Sequence, residues 1–313
     1  MLQQVLETAV NTISPILLCV MIGAWFGRKF KPDPRVFSRL SLYIFLPMLV
    51  FRSLSTSNIE FSEIVPIAIS LFAVSGMMAA LGWGMASLQP ALAKRTRSAF
   101  VLTILLFNAG NYGLPFIEFA LGNEGLQYAT IILVFSSMMT HSLGIFIASS
   151  GSSSPVQGLL NIVKNPLPYA TLLGFLVNVA DISLPLPMTR TVDVLANGSI
   201  PIMLMLLGVQ LSRLQVRELS GAYIRAIGIA AGMRLFLAPI GVFLVTRVTG
   251  VEGTAFIVLM LVMSMPTAVN SAVLSYEFGS DADFATPVIL TSTIGSVLSL
   301  SILFTILTSA GIL

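Results

Sequence analysis

Charge is scarce in this chain. Of 313 residues only 9% are Asp, Glu, Lys or Arg, and 56% are hydrophobic. Ordinary soluble domains carry about 25% charged residues. With a mean hydropathy of +0.95, too little polar material remains to hydrate a surface, which excludes a soluble globular domain and leaves an integral membrane protein. Cysteine is all but missing. The single Cys19 excludes an intrachain disulfide and a cysteine-rich metal centre, and its apolar surroundings make it a packing residue. There is one histidine, His141. No G-x-S-x-G, no Walker loop and no His/Cys metal spacing occurs, so neither an enzyme nor a nucleotide-driven pump is expected. No cofactor and no nucleic-acid partner are expected either. The N-terminal stretch MLQQVLETAV lacks the basic region of a cleavable signal.

What the chain has instead is long apolar runs. A helix needs about 20 mostly apolar residues to span a bilayer. Ten stretches meet or approach that length, at roughly 8–27, 35–55, 62–88, 97–120, 126–148, 164–181, 190–212, 221–248, 253–277 and 283–310. Connections are short. The single linker-like segment begins SSGSSSPVQG at the middle of the chain. It divides the chain into a first unit, 1–148, a cytoplasmic linker, 149–163, and a second unit, 164–313.

Lys and Arg are unevenly placed. With ten spans, Arg28, Lys29, Lys31, Arg35, Arg39, Lys94, Arg95, Arg97, Lys164, Arg213, Arg217 and Arg225 fall on one side, and Arg52, Arg190 and Arg247 on the other. Twelve against three places the first side in the cytoplasm and both termini outside it. The expected location is a bacterial inner membrane. Asp281 and Asp283 lie on the cytoplasmic side, but acidic residues weigh little in this rule.

The two units echo each other at an offset of 156 residues: Ala99-Phe100 falls on Ala255-Phe256, Tyr128-Ala129-Thr130 on Phe284-Ala285-Thr286, and Ser136-Ser137 on Ser292-Thr293. Five spans per unit is an odd number, so the second unit enters the membrane from the opposite side and the repeat is inverted, as in many secondary transporters. At the same offset NAGNYGLP, 108–115, lands on SMPTAVNS, 264–271. Both fourth spans are therefore interrupted near mid-depth by proline and asparagine. Proline lacks a donor and clashes with the preceding turn. The freed backbone groups survive at that depth only inside protein or beside a wet cavity. Helix halves restarting after such breaks present N–H groups and partial positive charge, a setting for an anion.

NAGNYGLP resembles the N-x-G-N-x-G-x-P signature of the auxin efflux carrier family, whose plant members are the PIN proteins and whose bacterial members are described as malate or malonate permeases. SLYIFLPMLVF, 41–51, and IPIMLMLLGVQL, 200–211, agree with it. The resemblance implies an all-α fold of ten transmembrane helices in two inverted five-helix repeats, with helices four and nine broken at prolines and crossing. It implies a scaffold of helices one, two, six and seven, a mobile unit of helices three to five and eight to ten, and elevator-type transport of a small organic anion. Carried over by motif, Asn108 and Asn111 would hold the substrate carboxylate, beside Tyr112, and Pro115 would be the crossover proline. In the second repeat Pro266, Thr267 and Asn270 occupy the corresponding stretch, where the match departs in detail. The long cytoplasmic loop of many plant PINs is missing, so its phosphorylation sites do not carry over. Dimers occur in the family, and coupling to H+ or Na+ stays open.

Several residues keep two readings. Asn108 and Asn111 lie three apart, on one helical face, and an Asn amide offers two donors to a carboxylate without placing a charge in the membrane; local capping is the alternative. Arg234, mid-span, costs at least about 2.5 kcal/mol unless satisfied. It is expected to meet the substrate, to pair with Glu277, or to face backbone carbonyls. His141, the sole histidine, is either a coupling residue or a hydrogen-bonding packing residue. Glu118 and Glu277 follow the two breaks, near opposite ends of their spans, as coupling groups or interfacial carboxylates. The small residues of SGMMAALGWGMAS, 75–87, predict close helix packing. The 15 Met read as soft core filler, and Trp25 and Trp83 as interface residues. The leading functional reading is a permease for a small carboxylate within the lipid bilayer. The alternatives are a sodium-coupled organic-anion symporter resembling the bile-acid transporter fold, with Thr267 and unwound carbonyls as Na+ ligands, or a membrane sensor that binds without moving its ligand.

Overall fold

A computed structural model describes residues 12–149, 163–214 and 221–312. Most of the expected linker, the first residues of the N-terminus and Arg217 lie outside them. Within the described residues the chain is helical, and its only β-type pairing is one isolated bridge. The helices are α1 (Ser14–Phe30), α2 (Pro34–Ser55), α3 (Phe61–Ser87), α4 (Lys94–Leu105), α5 (Ala109–Ala148), α6 (Pro166–Val179), α7 (Leu186–Arg213), α8 (Gly221–Thr249), α9 (Gly253–Met263), α10 (Asn270–Phe278) and α11 (Ala282–Ser309). Six of them, α2, α3, α5, α7, α8 and α11, are long and apolar enough to cross a membrane. At 40 residues, α5 would run about 60 Å, twice the hydrocarbon thickness. Its backbone leaves helical geometry at Gly122 (φ 63°, ψ −154°), a conformation open to glycine.

Local chemistry sets the ends. The Asp33 carboxylate accepts from the N–H of Arg35, and Pro34 occupies the first turn of α2. Asn165 and Asp281 cap α6 and α11 in the same way, while Glu60 and Glu63 form a reciprocal capping box at α3. Gly250 and Gly279 close α8 and α10 in the left-handed conformation. Exposed apolar side chains such as Leu18, Met21, Ile22, Leu172, Leu244 and Ile294 line the outside, as lipid-facing helices require. Trp25 and Trp83 are also exposed.

The closest helix approaches are not in the Gly/Ala-rich stretch of α3. A Cβ at Gly76 or Gly84 would meet open space, and one at Gly82 would make ordinary contacts. Instead Gly23 of α1 lies against the Met205 backbone of α7, Gly208 of α7 lies against Val20 O, and Gly174 of α6 against Phe51 O of α2. Small residues permit backbone contact only where two helices cross at that residue, and composition does not say where that is.

Candidate functional site

The two interruptions meet. After α4 the backbone extends at Leu106 (φ −87°, ψ 112°) and restarts at Ala109; after α9 it unwinds over 264–269 and restarts at Asn270. Phe107 and Thr267 form an antiparallel bridge. The Asn108 N–H donates to Pro266 O (2.9 Å), and the Ala268 N–H donates to Leu106 O (2.8 Å). Two backbone donors freed by the breaks thus satisfy two freed carbonyls, where each unmet group would cost several kcal/mol in hydrocarbon. Around them the Thr267 hydroxyl donates to Thr103 O (2.8 Å), and the Thr267 N–H to Ser292 Oγ (3.2 Å). Pro115 directly follows the π turn Ala109–Gly113, where the Leu114 N–H donates to both Ala109 O and Gly110 O, so the turn absorbs the donor that proline lacks.

Beside this crossing lies a cavity of about 520 Å³. Its floor is the two helix restarts: Asn108, Ala109, Gly110 and Asn111 from one, Ala268, Val269 and Asn270 from the other. The walls add Ser136, Ser137, Thr140 and His141 from α5, Gln210 from α7, Ser38 and Ser41 from α2, Lys164 and Asn165 before α6, and Glu277 from α10. Asn108 is 7% exposed. No hydrogen bond from its side chain, or from those of Asn270, Glu277 and Lys164, to another described residue is present, which leaves these groups to water or a ligand. The Asn111 amide donates to Gln210 Oε1 at 3.4 Å. His141 Nδ1 is 2.8 Å from Ser137 O, which orients the ring and leaves Nε2 unbonded. Asn165 donates to Ser137 Oγ (2.6 Å) while its oxygen caps α6. The donor set is rich in amides, and two helix N-termini and a lysine offset the single carboxylate of Glu277. A compact anion fits that balance.

Not every candidate residue joins the cavity. Asn108, Asn111, Asn270, His141 and Glu277 line it; Tyr112, Pro115, Pro266, Thr267, Glu118 and Arg234 do not. Tyr112 is buried (1% exposed) and packs behind the restart. Thr267 is fully buried, its hydroxyl and N–H already spent on the crossing. Arg234 takes the carbonyl option: its guanidinium donates to Ile104 O (2.8 Å) and to Met263 O, and stacks over Phe107 with Cζ 5.6 Å from the ring centroid. No ion pair joins it to Glu277 among the described residues. Gln210, Lys164, Asn165 and the Ser136–Ser137 pair were missed as site residues. Lys164 and Asn165 had a signal, polar residues next to a span, but nothing local tied them to the breaks.

Four π turns gather here: Ser41–Phe45, Ala109–Gly113 and Thr140–Gly144 contribute cavity residues, and Met233–Leu237 carries Arg234. π turns inside helices are frequent at functional sites.

Interrupted helices that cross beside a polar cavity, in a chain of long apolar helices, define a multi-pass membrane transporter. Residues 8–304 match the family described as "Membrane transport protein", so the chain belongs to that family, the auxin efflux carrier family. An "Uncharacterized transporter" of Methanothermobacter thermautotrophicus is 25% identical over 295 residues, covering 93% of this chain and 95% of its own. "Uncharacterized transporter YfdV" of Escherichia coli K12 is 21% identical over 309 residues, covering 93% and 95%. A "Putative malonate transporter" of Rhizobium meliloti is 24% identical over 266 residues, covering 82% and 81%. These similarities span nearly whole chains and belong to transporters, not enzymes.

Proposed function

We propose that the protein is a secondary permease for a small organic anion, a carboxylate of malonate size, working by elevator-type alternating access. The observation that carries this is the cavity whose floor is built from both helix restarts and from Asn108, Asn111 and Asn270. The substrate carboxylate docks on these amides and on the N–H groups of the two restarts; Lys164 adds positive potential. Malonate enters as the compound in the Rhizobium relative's name, and its two carboxylates suit a cavity lined both by amides and by Lys164.

In this reading Gly122 divides α5, α4 with the start of α5 is one broken span, and α9 with α10 is the other. The chain then has ten spans in two inverted five-helix repeats, 1–148 and 164–313, joined by 149–163. The close approaches of α1 to α7 and of α2 to α6 support a scaffold of spans one, two, six and seven; the remaining spans form the moving unit, which meets the scaffold where Asn111 contacts Gln210. Ser38 and Lys164 lie at helix ends that carry basic residues, and Glu277 lies two residues before Gly279, whose carbonyl accepts from Arg95 of a basic loop, so the cavity opens to the cytoplasm, with both termini on the other side of an inner membrane.

Uptake of labelled malonate into proteoliposomes, with a matched Asn111→Ala protein, tests the reading. Flux in the parent and its loss in the variant is the expected result. Binding without flux in the parent would make the protein a sensor instead.

A further inference from the structure

The two broken helices leave more than the N–H groups already paired. α4 and α9 end at the crossing, and each presents the carbonyls of its last turn there. A helix C-terminus carries roughly half a negative charge, so the two together offer about one unit of negative potential in a region without water. Ile104 O would normally accept from the N–H of Asn108, but that group is bonded to Pro266 O. Met263 O would accept from the N–H of Thr267, but that group is bonded to Ser292 Oγ. Both freed carbonyls accept from the guanidinium of Arg234 instead. The side chain is 1% exposed, and no carboxylate among the described residues neutralises it. Its charge is met by the two helix ends and by the face of the Phe107 ring.

We infer that the Arg234 guanidinium is a tethered cation that permanently fills the place a mobile coupling cation would need at the crossing. Five oxygens there already accept a hydrogen bond: Thr103 O from the Thr267 hydroxyl, Leu106 O from the Ala268 N–H, Pro266 O from the Asn108 N–H, and Ile104 O and Met263 O from Arg234. A second cation at these oxygens would have to share them with the guanidinium and sit against its charge in a buried site. The sodium-coupled alternative, with Thr267 as a ligand, carries that repulsion as long as Arg234 is in place. Only the statement about coupling rests on the transport reading; the cation site itself is testable without substrate.

The experiment compares the parent protein with Arg234→Ala, Arg234→Lys and Arg234→Gln. Unfolding temperatures are measured in choline, Na+, K+ and methylguanidinium chloride at equal ionic strength. The parent is expected to melt at one temperature in all four. Arg234→Ala should melt about 5 °C lower in choline and regain more than half of that loss, saturably, with methylguanidinium or Na+. Arg234→Lys should lie closer to the parent than Arg234→Gln does. Saturable stabilisation of the parent by Na+ overturns the proposal, as does an Arg234→Ala protein that no small cation restores. If Arg234→Ala yields no folded protein, Lys and Gln decide: equal stability overturns it, and a folded Lys variant beside an unstable Gln variant supports it. Parent malonate flux should be equal in Na+ and choline, and Na+-dependent flux overturns the proposal. No malonate flux at all, with the restoration pattern present, defeats the carboxylate reading and sustains the tethered cation.

Discussion

Asn111 gives the sharpest test of the sign of charge the cavity takes. Its amide lines the cavity and is only partly buried, with one long hydrogen bond to Gln210, so replacing it disturbs little packing. Asn111→Ala removes one hydrogen bond to a charged ligand, worth about 1.5–3 kcal/mol, which corresponds to roughly 10- to 150-fold in apparent affinity. Asn111→Asp keeps the shape and adds a negative charge. At about 4 Å and an effective dielectric of about 20, two like charges repel by about 4 kcal/mol, or roughly a thousandfold. For an anion the order of affinity is therefore Asn, then Ala, then Asp. For a cation Asp is the best of the three, and for a neutral ligand Ala and Asp lie close together. Labelled malonate exchange in proteoliposomes, with ligand-induced thermal shift as a second readout, distinguishes these orders. An Asp protein that transports as well as the Ala protein would refute the anion assignment.

Three further outcomes follow from the packing. Thr267→Val keeps the volume but leaves Thr103 O without its donor; hydrogen bonds in membrane proteins average about 0.6 kcal/mol with a maximum near 1.7, so the melting temperature should fall by a few degrees, read by thermal unfolding in detergent. Gly208→Ala drives a methyl into Val20 O and the Gly23 backbone and should cost about 1–3 kcal/mol of stability, whereas Gly84→Ala, facing open space, should cost nothing; equal melting temperatures would contradict the described contact. In a Cys19→Ser background, a cysteine at Asn270 should react with a membrane-impermeant maleimide added from the side of the basic loops, and one at Thr267, fully buried, should stay protected; the reverse pattern would displace the cavity.

Much of this was legible early because hydrophobicity and breaker residues act locally. NAGNYGLP and SMPTAVNS interrupt apolar runs in a way no continuous helix tolerates, whereas the caps at Asp33, Asn165 and Asp281 emerge from the structure. The expectation held only in part for the Gly/Ala stretch of α3: Gly82 packs on Val101 of α4 and Met77 on Gly241 of α8, while Gly76 and Gly84 face open space, since small residues allow close approach but do not supply the neighbour. Tyr112 and Thr267 were read as binding residues by position in a motif; burial sends the first behind the restart, and its own hydrogen bonds keep the second in the crossing. Gln210 and Lys164 were missed because each joins the cavity from an element far away in the chain.

By itself the sequence determined a helical membrane protein, its family, and the two places where helices must break, because scarcity of charge, run length and proline act on each segment regardless of its neighbours. Only the tertiary structure decided that one break pairs with the other and that Arg234 answers to two helix ends rather than to a carboxylate. Only there, too, do the amides of both restarts share one cavity. A freed carbonyl accepts from whichever donor packing brings within about 3 Å, and for Ile104 O, Leu106 O and Pro266 O that donor lies more than a hundred residues away in the chain.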